Sequence, residues 1–167
     1  MNLTDVFMQE GKVKEIKCSL EDEVSFEKKW IGNPVIELQF SHLEKGKLLV
    51  KGRGEAAFYL SCDRCLEMVE ERVSLDFERE LFSPEIPVDE DTAQEQYYLE
   101  GYELNTGLLL QEILHINWPT KILCRQDCKG ICKKCGQNLN QAACQCDDFV
   151  PDVRWANLMD IFSNVQP

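Results

Sequence analysis

Residues 61–82 read SCDRCLEMVEERVSLDFERELF. Val69, Val73, Leu75, Phe77 and Leu81 share one parity, with Glu71 and Arg79 as exceptions. Glu70, Arg72, Ser74, Asp76, Glu78 and Glu80 take the other. Alternation at period two marks a strand with one buried and one wet face, an antiparallel habit. Upstream, Ile36, Leu38 and Phe40 also fall on one strand face. Leu48 and Val50 then lead through Gly52, Gly54, Ala56 and Phe58 to Leu60. The two glycines predict a bulge or a close backbone approach within a long strand. Cys62-Asp63-Arg64-Cys65 lies between the two longest strand candidates, at the predicted tip of a hairpin. Its plainer reading is a tight turn with two small buried thiols.

Beyond the hairpin, residues 83–96 (SPEIPVDEDTAQEQ) read as a polar, proline-containing loop, and residues 97–104 as another short strand. Asn105 or Thr106 is placed to cap a helix near residues 106–116, with Leu108, Leu109, Ile113 and Leu114 at helical spacing. Pro119 ends it, with Trp118 held extended before the proline. His115 has no histidine partner nearby and reads as a packed or capped side chain rather than a ligand. Trp155, Leu158, Met159 and Phe162 fit a short amphipathic helix folding back on the body.

Six of the nine cysteines fall in CRQDCKGICKKCGQNLNQAACQC, residues 124–146. Cys132-x2-Cys135-Gly136 is a metal knuckle: two thiolates two residues apart can face one ion, and the glycine allows the tight turn. Cys124 and Cys128 form a looser pair before it, and Cys144 and Cys146 another after it. With Cys62 and Cys65 these pairs make eight ligands, enough for two structural zinc sites, with Cys18 left over. Segment 124–146 has too few apolar residues to fold without such a staple. The short interval between Cys135 and Cys144 makes Cys132, Cys135, Cys144 and Cys146 a local zinc loop. Cys124 and Cys128 would then join Cys62 and Cys65, tying the hairpin tip to the C-terminal module. The rival is one site built from four of the six C-terminal cysteines, with Cys62 and Cys65 free.

The fold class expected is therefore α+β. It has an antiparallel, barrel-like sheet, one main helix and a zinc-stapled C-terminal module, divided at residues 1–118 and 119–167. The 167 residues suffice for one core and a small satellite. No apolar run approaches the ~20 residues of a membrane span. The opening MNLTDVFMQEGKVKEIKC has no basic region followed by an apolar one, so a cytoplasmic setting is expected. Thiols stay reduced there, which favours metal ligation over disulfides.

The net charge of −12 argues against a purely electrostatic nucleic-acid binder. Residues 80–120 carry nine acids and no Lys or Arg, either a solvated stretch or a surface for a basic partner. Lys121, Arg125, Lys129, Lys133 and Lys134 cluster around the cysteines. They are ordinary solvated charge, or cations that Arg125, Lys129, Lys133 and Lys134 present to nucleic-acid phosphate. Arg64 reads as a structural hydrogen-bond donor to a nearby carboxylate, ahead of the alternative of RNA contact.

A zinc closed by four thiolates has no open position for water, so it does not hydrolyse anything. G-x-S-x-G, Walker A, H-E-x-x-H and a Gly-rich dinucleotide turn do not occur. The chain reads as a non-enzyme with no small-molecule substrate. A thiol oxidoreductase using Cys62 and Cys65 is the minority reading, because such a dithiol normally opens a helix after a strand.

In order along the chain stand CDRCLE (62–67), ELNTGLLLQEILHINWP (103–119), CRQDCKGICKKCGQNLN (124–140), CQC (144–146) and DVRWANL (152–158). Together they resemble the YceD family of bacterial and plastid proteins linked to accumulation of large-subunit ribosomal RNA. The family usually has proline where this chain has Val153. The resemblance implies a role in maturing or stabilising the large ribosomal subunit in the bacterial cytoplasm. Family genes often neighbour one for a small large-subunit ribosomal protein, which implies a protein partner as well as RNA. Two modes of action follow. The zinc loops bind ribosomal RNA, or the acidic stretch holds a basic ribosomal protein without RNA contact.

Overall fold

The computed structural model describes residues 1–24 and 30–146. The helix expected around Trp155–Phe162, and the DVRWANL segment, lie outside the described residues. The alternation in residues 61–82 becomes one arm of a hairpin. Strand β3 (Lys47–Ser61) returns through residues 62–67 as β4 (Met68–Ser74) and β5 (Phe77–Phe82). Pairs run from Ser61↔Met68 to Lys47↔Phe82 in one unbroken register, so β4 and β5 form a single arm broken only at Leu75 and Asp76. There the Asp76 carboxylate accepts from the Gly54 N–H at 3.2 Å, while the Leu75 N–H still reaches the Gly54 carbonyl at 2.9 Å.

Gly52 shows why a small residue was needed. It faces Phe77 across the ladder, and a Cβ there would sit 2.1 Å from a ring carbon. The aromatic ring covers Gly52, whereas the close backbone approach falls at Gly54, where a Cβ would lie 3.2 Å from Ile36 Cα; neither glycine makes a bulge. The register shift between β2 and β3 falls at His42/Glu44 instead.

Strands β1 (Val13–Ser19) and β2 (Val35–Glu44) extend the sheet in the antiparallel order β1-β2-β3-β4/β5. Ile36, Leu38 and Phe40 of β2 share the inner face with Leu48, Val50, Ala56, Phe58, Val73 and Leu81, all buried. Apart from Ala56, each such side chain contributes roughly 1.5–3 kcal/mol on leaving water. The sheet does not close into the expected barrel. Among the described residues β1 and β4/β5 remain edges with no ladder between them. Helical residues complete the core instead: Val6 and Phe7 of α1 (Thr4–Met8), Leu20 of α2 (Leu20–Glu23) and Leu109, Leu110, Ile113 and Leu114 of α4 (Thr106–Ile116).

Helix α4 begins where expected. Asn105 Oδ1 accepts from the Leu108 N–H at 3.1 Å as its N-cap. Arg79, one of the two exceptions to the alternation, reaches inward to Glu112 of α4 at 2.8 Å. The expected loop at 83–96 contains a short helix, α3 (Glu90–Glu95), capped by Asp89. The single strand expected at 97–104 is a miniature hairpin, β6 (Leu99–Glu100) and β7 (Glu103–Leu104). Gly101, at φ 62°, makes the turn that splits it.

Trp118 packs edge-on against Phe58 at 4.9 Å between ring centroids. The chain leaving α4 is thereby anchored on β3, close to the hairpin tip. Among the described residues no helix is long and apolar enough to cross a membrane.

Candidate metal centre

Strands β3 and β4 deliver Cys62 and Cys65 at the closed end of the hairpin. The turn is held by two backbone bonds: the Cys62 N–H to the Glu67 carbonyl (2.8 Å) and the Leu66 N–H to the Cys62 carbonyl (3.0 Å). Seventy residues on, the second knuckle repeats them. The Cys132 N–H donates to the Gln137 carbonyl (2.8 Å) and the Gly136 N–H to the Cys132 carbonyl (2.9 Å). The residue after the second cysteine is left-handed in both, Leu66 at φ 62° and Gly136 at φ 73°. The two turns are the same device, built once with leucine and once with glycine.

Asp63 docks the incoming chain. Its N–H donates to the Ile122 carbonyl at 2.8 Å, and its carboxylate accepts from the Ile122 N–H at 2.7 Å. Cys124 and Cys128 are thereby laid against the tip. Cys62, Cys65 and Cys128 form a small second core, with Leu123, Cys124 and Ile131 packed on it.

Two groups of four thiols result. Cys62, Cys65, Cys124 and Cys128 lie with their sulfurs within 4.8 Å of one another, and so do Cys132, Cys135, Cys144 and Cys146. The arrangement with Cys62 and Cys65 free is not the one formed. Cys62 Sγ is 3.8 Å from Cys128 Sγ and Cys65 Sγ is 3.4 Å from Cys124 Sγ. Disulfide sulfurs would be about 2.05 Å apart. Four thiolates about 2.3 Å from one zinc ion lie about 3.8 Å from each other. Each group could hold a metal ion.

The electrostatics of the bare thiols point the same way. Burial opposes ionisation of Cys62, but the backbone N–H groups of Cys124, Arg64 and Cys65 outweigh it and pull that thiol down to about 6. Backbone N–H groups of Cys135 and Lys134 bring Cys132 down to about 6. Cys65 receives a favourable N–H from Glu67, yet burial and the thiols of Cys124, Cys62 and Cys128 push it up to about 12. The Cys135 sulfur, burial and Cys132 push Cys146 up to about 12. Four thiols so close cannot all ionise alone. A divalent cation among them removes that conflict.

Of the four cations singled out in the sequence, Arg125 is occupied, donating to Asn140 Oδ1 at 2.8 Å and lying 3.5 Å from Asp127. Lys129, Lys133 and Lys134 are exposed, and among the described residues no carboxylate lies within ion-pair distance of them. Arg64 donates to the Cys128 carbonyl at 2.7 Å rather than to a carboxylate. His115 belongs to neither thiol group. Spacing gave no sign of Glu67 and Asn140. Glu67 accepts from Asn138 and Gln141, and Asn140 donates to Cys128 Sγ at 3.3 Å. The polar run Gln137–Gln141 carries no periodic signal, and Glu67, the partner of Asn138 and Gln141, lies about seventy residues away.

The profile of the family described as "Large ribosomal RNA subunit accumulation protein YceD" matches residues 50–162. The chain is 25% identical over 152 residues to "Large ribosomal RNA subunit accumulation protein YCED homolog 1, chloroplastic" of Arabidopsis thaliana, covering 74% of this chain and 47% of that one. It is 28% identical over 130 residues to an uncharacterized protein of Mycobacterium tuberculosis, covering 75% and 60%. The match thus spans only 47–60% of these curated relatives. No solved structure matches the chain. With a profile match that covers both cysteine knuckles, helix α4 and the cation-bearing loops, the chain belongs to the YceD family.

Proposed function

We infer that this protein is a non-enzymatic, cytoplasmic factor supporting accumulation of large-subunit ribosomal RNA, with two zinc ions held by its two groups of cysteines. Membership of the YceD family carries the functional part of this reading. The donor chemistry supports zinc: all eight side chains are thiols, which suit a closed tetrahedral site. In this reading residues 119–167 form a metal-stapled module seated on the β domain, residues 1–118. Lys129, Lys133 and Lys134 stand on rigid loops and meet RNA phosphate, with Arg125 shaping the loop through Asn140. Cys62 and Cys65 are committed to metal, which leaves no free dithiol for oxidoreductase chemistry.

A second reading rests on the opposite surface charge. Glu80, Glu85, Asp89, Glu90, Asp91, Glu95, Glu100 and Glu103 are all exposed, with no Lys or Arg between them. Such a surface suits a basic ribosomal protein held without RNA contact.

Affinity capture of the tagged protein, with and without RNase, separates the two. Under the first reading large-subunit RNA is captured, ribosomal proteins leave after RNase, and Lys129→Glu/Lys133→Glu/Lys134→Glu abolishes capture. Under the second, one basic ribosomal protein survives RNase and the triple variant still holds it. Capture of neither RNA nor ribosomal protein would contradict both.

A further inference from the structure

We propose that the two groups of cysteines act as one coupled metal centre, in which residues 138–141 of the second group latch the first; this rests on reading both groups as metal sites. Those residues lie between Cys135 and Cys144, so closing the second group on an ion fixes them. From this segment Asn138 Nδ2 and Gln141 Nε2 both donate to one Glu67 oxygen, at 2.9 and 3.0 Å. Glu67 stands two residues after Cys65 and its carbonyl closes the first knuckle. Asn140 bridges the groups directly, its Nδ2 3.3 Å from Cys128 Sγ and its Oδ1 accepting from the Lys129 N–H at 2.8 Å. An N–H aimed at a ligand's sulfur fixes its orientation toward the ion, as hydrogen-bond partners of metal ligands do.

The link between the groups is short and packed. Ile131 immediately precedes Cys132, packs on the first group, and donates its N–H to the Arg64 carbonyl at 3.1 Å. Gly130, at φ 78°, leaves no room for a side chain: a Cβ would lie 3.0 Å from that same carbonyl. An ion in either group therefore orders the backbone that seats the other, and linkage makes the effect reciprocal. The groups differ in access. Cys62, Cys65 and Cys128 are buried, whereas Cys135 is exposed and Cys144 and Cys146 are half-buried. The second group opens first, and its opening loosens the hairpin tip.

The test uses the full chain, kept reduced and loaded with Zn2+, in competition with a colorimetric chelator. Co2+ serves as the spectroscopic probe of tetrahedral thiolate coordination. Cys135→Ser/Cys146→Ser, which disables the second group, is expected to weaken metal binding by the first about 10-fold or more, the usual size of an outer-shell effect. Cys62→Ser/Cys65→Ser should weaken the second group by a similar factor. Asn140→Ala and Glu67→Ala, which remove no ligand, should each weaken the first group, and should do so much less once the second group is disabled. Far-UV circular dichroism monitors folding. If a ligand variant fails to fold, the Asn140 and Glu67 variants carry the test. Wild-type affinity of the first group in Cys135→Ser/Cys146→Ser, Asn140→Ala and Glu67→Ala would overturn the coupling while leaving both metal sites standing. Failure of the wild-type chain to bind Zn2+ or Co2+ would overturn the metal reading itself.

Discussion

Leu66 holds a left-handed backbone at φ 62°, the position Gly136 fills in the second knuckle. An L-residue pays roughly 1–2 kcal/mol there, a cost glycine avoids. Leu66 is also 63% exposed, so little packing is lost with its side chain. Leu66→Gly is expected to leave metal binding intact and raise thermal stability by up to about 1 kcal/mol, read from the unfolding midpoint of the metal-loaded protein. No change or a loss would show that the side chain is held by contacts that outweigh the backbone cost. Gly52 makes the opposite case. The Phe77 ring occupies the volume of its missing Cβ, so Gly52→Ala should destabilise by about 1–3 kcal/mol in denaturant unfolding. At this scale the sequence exposed one position and concealed the other. A glycine inside an alternating strand announces a close approach, whereas nothing in CDRCLE shows that Leu66 is left-handed. Only the likeness of the two knuckles reveals it.

Among the elements, those with strong periodicity or a clear cap were legible. The hairpin arm at 68–82 reads directly because inward apolar and outward charged residues alternate over its length, and Arg79, which breaks the pattern, finds Glu112. Helix α4 was bounded by Asn105 and Pro119. Asn105→Ala should cost about 1 kcal/mol of stability, since it orphans the Leu108 N–H. Strand β1 was not legible: Val13 faces solvent, and only Ile16 and Cys18 turn inward. The α3 signal was present but weak. Asp89 caps Thr92 and acids fill the first turn, yet the helix buries no side chain, so apolar spacing could not report it. In residues 97–104 the alternation hid a two-residue turn that Gly101 alone betrayed.

For the whole molecule, alternation reveals which face of a strand is buried but not whether a sheet closes. The barrel expectation failed on that distinction, because apolar side chains from helices complete the core. The cysteine intervals made both groups legible as candidates, since thiols close in sequence can share an ion. The polar latch was not legible, because Glu67 meets Asn138 and Gln141 only through the tertiary fold. The main core and the thiol core also differ in kind. One rests on buried hydrocarbon, the other on a few apolar residues and eight thiols. Chelation at neutral pH under reducing conditions should therefore release amide protection at Lys134, Gly136 and Leu139 while β2 and β3 stay protected, as read by hydrogen exchange. Equal loss of protection in β3 would mean that the sheet itself depends on metal.

Native mass spectrometry of the full chain, purified reduced and without added chelator, decides whether the hairpin tip holds a metal ion. The expected result is two zinc ions per chain, falling to one in Cys62→Ser/Cys65→Ser. A metal-free wild-type chain, or an unchanged count in that variant, would contradict a metal site at the hairpin tip.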